Sequence, residues 1–399
     1  MSDSAGDNSK LRVVVLGGCG FIGRNLVEYL ISNDLVSYLR AVDKTPPQLA
    51  FLNPTHTKIF EDPRVEYKSA NLINPTSCAN ALEPNEGPWD LVVNCAGETR
   101  VGQMEAVYAE GIVTLSVNVA KQCAKLNPIP RDYCPVEPWT VEGRMKSQVE
   151  KELKKLEPEL SYTILRPAIV YGIADRRSLT PRLLYGGIYK HLGETMKLLW
   201  TADIKMNTVH VRDLCRAIWV VGTRADTKWK TYNVVDEANS SQGSITELVS
   251  DIFKINHDYY GTALSTLAKS DIAAVAEEAN DKHLTAWADI CRRYSLAHSP
   301  LEPSAPPELL LNKQLCLDGG ALRQLLSPTV PRPTVELLRQ VSAVRHIRSG
   351  QKKKTCKSNV VFCNATPQRS VEAWHSSMIV NVHRRSLFLK LLYFGHLNI

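Results

Sequence analysis

Residues 11–16 (LRVVVL) form a short apolar run, rich in Val, between a polar start and a cluster of glycines. That is the pattern of a strand buried on both faces of a parallel sheet. Behind the glycines, Ile22, Leu26, Val27, Leu30 and Ile31 recur at helical spacing and predict an amphipathic helix. Further strands are expected at 39–43 (LRAVD), near 65–70 and at 91–96 (LVVNCA), followed by a helix over about 104–126. A Pro-rich break at 128–138 precedes a helix over about 141–156 and a strand at 162–166 (YTILR). Strands alternating with helices predict an α/β fold with a doubly wound parallel sheet.

The remainder reads as more helical. Ser244-Ile-Thr-Glu247 has the spacing of a capping box ahead of Leu248, Val249, Ile252 and Phe253. Residues 331–341 (PRPTVELLRQV) predict a last helix. The expected organisation is a disordered start (1–10), a nucleotide-binding domain (11–240), a smaller helical substrate part (241–342) and a basic, disordered tail (343–399).

Charge supports that division. Residues 343–399 carry ten Lys or Arg against the single acidic Glu372, or +9, so a total of +7 leaves −2 for the other 342 residues. The basic character belongs to the tail, which lacks core periodicity and reads as a solvated extension rather than a nucleic-acid or membrane-surface arm. Ten cysteines without a CxxC pair or a Cys/His cluster at zinc spacing read as reduced thiols of the cytoplasm, and no metal site is expected. The polar N-terminus does not read as a signal peptide. The most apolar tail stretch, 387–397, is shorter than a membrane span and broken by Lys390.

Gly17-Gly18-Cys19-Gly20-Phe21-Ile22-Gly23 stands between the first strand and the first helix. In that context the glycines form a dinucleotide-binding fingerprint of Rossmann type. Gly17 permits the tight turn, Gly20 lets backbone approach a pyrophosphate, and Gly23 lets helix and sheet pack closely. The free N–H groups and dipole of the helix N-terminus, at Phe21 and Ile22, attract the phosphates. Asp43 closes the second strand 20 residues after Gly23. A carboxylate there accepts hydrogen bonds from the ribose hydroxyls and repels the 2′-phosphate of NADP, so NAD is the expected cofactor and NADP is disfavoured.

The Gly-x-x-Gly-x-x-Gly spacing resembles that of short-chain dehydrogenases. Three later motifs narrow the resemblance. LRPAIVYG at 165–172 is similar to the LRPxxVYG signature of the extended branch, VHVRDL at 209–214 to its hVxDl segment, and YNVV at 232–235 to the strand after it. Together they resemble the NAD-dependent epimerase/dehydratase family, with 3β-hydroxysteroid dehydrogenases as near relatives. The resemblance implies an oxidoreductase with about seven parallel strands and a C-terminal substrate part. It also implies that Asn71 and Leu72 contact the adenine and that Cys95, Ala96 and Gly97 form a turn beneath the cofactor. Pro167 and its neighbours would face the nicotinamide.

The resemblance further implies a catalytic Tyr four residues before a Lys on one helix face, and a Ser on the preceding strand. Lys146 is present, and in the Tyr position stands Glu142. A glutamate is ionised at neutral pH and cannot donate the proton that a tyrosine donates. Glu142 and Lys146 instead form an i,i+4 ion pair in the favourable order. The Ser is also missing: only ten residues, three of them prolines, fill 128–137, where a strand and loop would stand. Proline does not suit a central strand, so the sheet is expected to lack one. Tyr133 lies in this piece with nothing to set it against Lys146, and Ser147 is expected to face elsewhere. Met206 occupies the place where sugar-nucleotide enzymes of the family carry a basic residue before the hVxDl segment. The substrate, a sugar nucleotide or a sterol-like alcohol, therefore stays open. Three functional readings remain: an active NAD-dependent oxidoreductase or epimerase, an NAD-binding protein without catalysis, or a shortened variant of an active enzyme. Association into a homodimer through uncovered sheet edges is a further expectation.

Overall fold

The computed structural model describes residues 10–125, 140–157, 159–296, 299, 301–340 and 390–394. The nucleotide-binding half opens with β1 (Leu11–Leu16), α1 (Phe21–Ser32), β2 (Val36–Asp43), α2 (Pro54–Phe60), β3 (Val65–Ser69), α3 (Pro75–Leu82) and β4 (Leu91–Asn94). A long helical stretch follows: α4 (Glu105–Tyr108), a π-type segment (Ala109–Thr114) and α5 (Leu115–Ala124). Beyond it come α6 (Val141–Lys155), β5 (Tyr162–Pro167), β6 (Ile169–Tyr171), α7 (Thr180–Leu192), β7 (Met196–Leu198), β8 (Thr208–His210), α8 (Val211–Thr223) and β9 (Thr231–Val234). The C-terminal part adds α9 (Gln242–Phe253), β10 (His257–Tyr259), α10 (Gly261–Ala268) and α11 (Ile272–Arg293), and the last strand is β11 (Lys390–Phe394).

Alternation along β1 shows why the sheet is buried on both faces. Val13 and Val15 pack with Leu26, Leu30, Leu214 and Ile218 of α1 and α8. Val14 and Leu16 pack on the opposite face with Val119, Val149 and Leu153 of α5 and α6. Successive strand side chains point to opposite faces, so a continuous apolar run serves two helical layers. A third core joins α7, α9 and α11 through Leu184, Ile188, Val249, Trp287 and Ile290. The capping box of α9 is correct in kind but shifted: Ser241 is the N-cap and Ser244 the reciprocal partner, each donating to or accepting from the other's backbone or side chain.

The main sheet is parallel throughout, in the order β3-β2-β1-β4-β11-β5-β9. The position expected to be vacant, between β4 and β5, is therefore filled, and this corrects the expectation. Leu391, Leu392 and Tyr393 pair in register with Val92, Val93 and Asn94 on one side and with Tyr162, Thr163 and Ile164 on the other. The physical cause is the pair of facing edges: unfilled, β4 and β5 would bury N–H and C=O groups without partners. The same strand corrects the expectation of a tail wholly outside the fold. Residues 128–137, with Tyr133, lie outside the described residues, as do the start 1–9 and the tail stretch 341–389.

Candidate functional site

Strand order reverses at β1, whose neighbours β2 and β4 lead to opposite halves of the sheet. Ligands of open α/β sheets bind outside the carboxyl ends of the strands at such a point. A cleft of about 1460 Å³ opens there and runs on into the space between α7 and α11.

The glycine turn is built so tightly that only glycine fits at two of its positions. Gly17 has φ +73°, and a Cβ on it would stand 2.8 Å from the Ala96 nitrogen. A Cβ on Gly23 would come within 2.1 Å of the Gly17 carbonyl oxygen. At Gly20 the only close atom is the Gly17 oxygen at 3.1 Å, so its outer side is open to the cleft. Gly20 is the N-cap of α1 and supplies no side-chain cap, which leaves the first-turn N–H groups for a ligand.

Asp43 is half-buried at the end of β2. Its Oδ2 accepts a hydrogen bond from the Cys19 N–H at 3.1 Å, and its Oδ1 accepts one from the Thr45 N–H at 3.0 Å. Burial pushes its carboxyl above the usual range, while the backbone donors of Thr45 and Cys19 pull the other way. The carboxylate thus ties the glycine turn to the β2 loop and borders the cleft.

Asn71 and Leu72 line the cleft beyond Asp43. Asn71 Oδ1 accepts from the Ile73 N–H at 3.2 Å, and Asn118 of α5 donates to the Leu72 and Ile73 carbonyls at 3.2 and 2.8 Å. Cys95, Ala96 and Gly97 form the floor after β4, where the Cys95 N–H donates to the Leu16 carbonyl at 2.9 Å. Pro167 itself does not border the cleft; its neighbours Ala168, Ile169 and Val170 do.

Glu142 and Lys146 both face the cleft from α6. Thr140 caps that helix by accepting from the Gly143 N–H at 3.0 Å, which fixes the first turn carrying Glu142. Lys146 Nζ donates to Glu142 Oε1, and the two side chains are 8% and 4% exposed. The ion pair expected from the spacing is thus present and buried. Ser147, also nearly buried, does not line the cleft.

Sequence reasoning missed several basic groups at the rim. Arg24 is buried, donating to the Cys19 carbonyl at 3.0 Å and the Ala50 carbonyl at 2.8 Å, and burial with the nearby Arg176 pushes its pKa down to about 10. Arg176 also donates to the Ala50 carbonyl, at 2.8 Å. Arg24 directly follows the last glycine of the motif, and that position was its only sequence signal. Arg182, Tyr185 and His283, at the far end of the cleft, carried no such signal.

Among the described residues no helix is long and apolar enough to cross a membrane. A search of curated proteins finds no match. Solved structures share the fold. The Thermus thermophilus UDP-glucose 4-epimerase complex with NAD is 16% identical with a TM-score of 0.56, covering 85% of this chain and 99% of that one. The Bacillus cereus UDP-glucuronic acid 4-epimerase in complex with UDP-glucuronic acid and NAD is 15% identical at 0.56, covering 85% and 99%. The Bacillus anthracis dTDP-glucose 4,6-dehydratase in complex with NAD is 13% identical at 0.54, covering 86% and 97%. The family model described as "NAD dependent epimerase/dehydratase family" matches residues 13–234, more than half of the chain. With the glycine turn, Asp43 and the parallel sheet on which they stand, that match places the chain in the NAD-dependent epimerase/dehydratase family of oxidoreductases.

Proposed function

We propose that this protein binds NAD across the carboxyl ends of β1, β2 and β4 and that its hydride chemistry is impaired. One observation carries the second half: the residue one turn before Lys146 is Glu142, and the two are ion-paired in the cleft. When bound, NAD supplies the nicotinamide that takes or gives the hydride. The protein's own residues bind and orient. The open side of Gly20 and the N-terminus of α1 receive the pyrophosphate, with Arg24 and Arg176 near the same loop. Asp43 accepts from the ribose of the adenosine half, and Asn71 and Leu72 border the adenine. Ala168 and Ile169 border the nicotinamide, and Lys146 reaches its ribose.

An alcohol oxygen that gains or loses a hydride partner must exchange a proton near neutral pH. In the direction that forms NADH the alcohol releases a proton, and the Glu142 carboxylate that would accept it is engaged by Lys146; in the reverse direction it has none to supply. A positioned acid or base contributes about 10²–10⁴-fold in rate, so turnover should fall at least about a hundredfold below a typical 10 s⁻¹. A small-molecule alcohol remains the substrate class, sugar nucleotide or sterol-like. The sugar nucleotides in the names of the structural relatives favour the first, and Met206 in place of a basic residue favours the second.

A second reading, a non-catalytic NAD-binding protein or a shortened variant of an active oxidoreductase, is favoured by the sheet. Its β4–β5 position is filled from the C-terminal end of the chain. We also read residues 11–240 as the cofactor domain and 241–342 as the substrate part, in a cytoplasmic protein. The test is NADH formation by the purified chain with sugar-nucleotide and hydroxysteroid substrates. The expected result is NAD binding without appreciable NADH. Robust turnover, abolished by Glu142→Gln, would make Glu142 the acid/base and overturn the reading.

A further inference from the structure

The far end of the cleft holds buried polar atoms without a hydrogen-bond partner among the described residues. Arg182, half-buried on α7, has its Nη2 3.2 Å from the Met206 sulfur and lies near the Tyr185 and Tyr259 side chains. Among the described residues no carboxylate pairs with it. Tyr185, one turn along α7, has a buried hydroxyl without a hydrogen-bond partner. His283, on α11, is 8% exposed, with both ring nitrogens buried and unpartnered. Its ring stacks on Tyr185 at 4.6 Å between centroids, and Tyr189 meets it edge-on at 5.7 Å. All four side chains line the cleft, and Met196, Leu198, Trp200, Ile204 and Met206 complete this end.

Buried donors and acceptors are nearly always satisfied, and a half-buried guanidinium without a paired carboxylate is suited to an oxyanion. Two side chains with buried, unsatisfied polar atoms, beside a half-buried guanidinium that no carboxylate pairs with among the described residues, point to a ligand that engages them together. The guanidinium fork matches an oxyanion in bidentate geometry. Met196, Leu198, Trp200, Ile204 and Met206 around it match a hydrophobic body. Burial holds the His283 ring neutral, pushing its pKa down to about 4, so it offers one donor and one acceptor and adds no charge.

We propose that Arg182, with Tyr185 and His283, recognises a carboxylate on an apolar substrate, making this end of the cleft a site for a hydrophobic acid. Arg182 thereby provides from α7 a charge that the chain lacks at Met206. The proposal rests on the reading of the cleft as a cofactor-and-substrate site.

Calorimetric titration of the full chain, saturated with NAD, with naphthoate, with neutral naphthamide and with pyrophosphate tests it. Naphthoate should bind at least about tenfold more tightly than naphthamide, a difference of about 1.4 kcal/mol. Arg182→Gln should remove that difference, and Tyr185→Phe should reduce it. Titration of NAD into Arg182→Gln without probe reports separately on the cofactor end and the fold. Equal binding of acid and amide overturns the proposal, as does a preference that survives Arg182→Gln. Pyrophosphate binding more tightly than naphthoate overturns it in favour of a phosphate ligand. Failure of NAD itself to bind the unaltered chain would instead overturn the cofactor reading.

Discussion

Lys146 donates to Glu142 one turn earlier on α6, and both side chains are buried at the wall of the cleft. Breaking such a pair from one side leaves a charge buried without its counterion. Glu142→Gln should lower unfolding stability by about 3 kcal/mol, and Lys146→Met should lower it as well, measured by urea denaturation. The double variant should recover much of that loss. Additive losses would show that the pair is not coupled. Glu142→Tyr alone should not create NADH formation, because residues 128–137 contain no Ser to hold the substrate oxygen in front of it.

The β11 strand gives a second test. Leu392 pairs with Val93 on one side and Thr163 on the other, so its backbone sits inside the ladder. Leu392→Pro removes a ladder donor from a central strand. The melting temperature should fall by more than about 5 °C, of the order of a kcal/mol or more at this size. Deleting residues 386–399 should do at least as much. An unchanged melting temperature in both would mean that the β4–β5 edges need no strand from the tail.

Much of this fold was legible in the sequence because its signals are local. The apolar run of Val13 to Leu16, the helical spacing of Ile22 to Ile31 and the glycine turn are each contained within a few residues. So was the buried pair, since i,i+4 spacing alone sets Glu142 beside Lys146. The β11 strand was not legible because its partners lie about 230 and 300 residues earlier in the chain, a separation no periodicity reports. Lys390, which broke the apolar run, concealed a strand only five residues long. Arg182 and His283 were missed for a similar reason: α7 and α11 bring them together, and neither carries a motif.

The glycines separate folding from binding. Gly23→Ala would force a Cβ against the Gly17 carbonyl, so stability and NAD affinity should fall together. At Gly20 an added Cβ meets one atom, the Gly17 carbonyl oxygen at 3.1 Å, which must give by a few tenths of an ångström, against the 2.1 Å clash at Gly23. Gly20→Ala should lower the melting temperature by less than Gly23→Ala does while weakening NAD binding by about tenfold. Thermal melts and titrations of both variants check this; identical behaviour would contradict the assigned roles.

Asp236 predicts a pH dependence. It is 3% exposed, its Oδ2 accepts from Thr208 Oγ1 at 2.7 Å, and burial raises its pKa to about 6. The folded state therefore holds this proton more tightly than the unfolded state. The resulting stabilisation is complete below the unfolded value, near pH 4, and is lost as pH rises through about 6. Asp236→Asn should remove that dependence and raise stability at pH 7.5 by about 2 kcal/mol. Urea denaturation from pH 4 to 7.5 measures it; parallel curves for the two proteins would contradict the assignment.

Cofactor binding is the measurement on which the account most directly rests. Asp43 borders the cleft at the end of β2, where a ribose hydroxyl would be accepted and a 2′-phosphate repelled. Calorimetric titration of the unaltered chain should show one NAD site, about tenfold tighter than NADP, with Asp43→Ala narrowing the gap. Absence of NAD binding by folded protein, or equal affinity for the two cofactors, would contradict it.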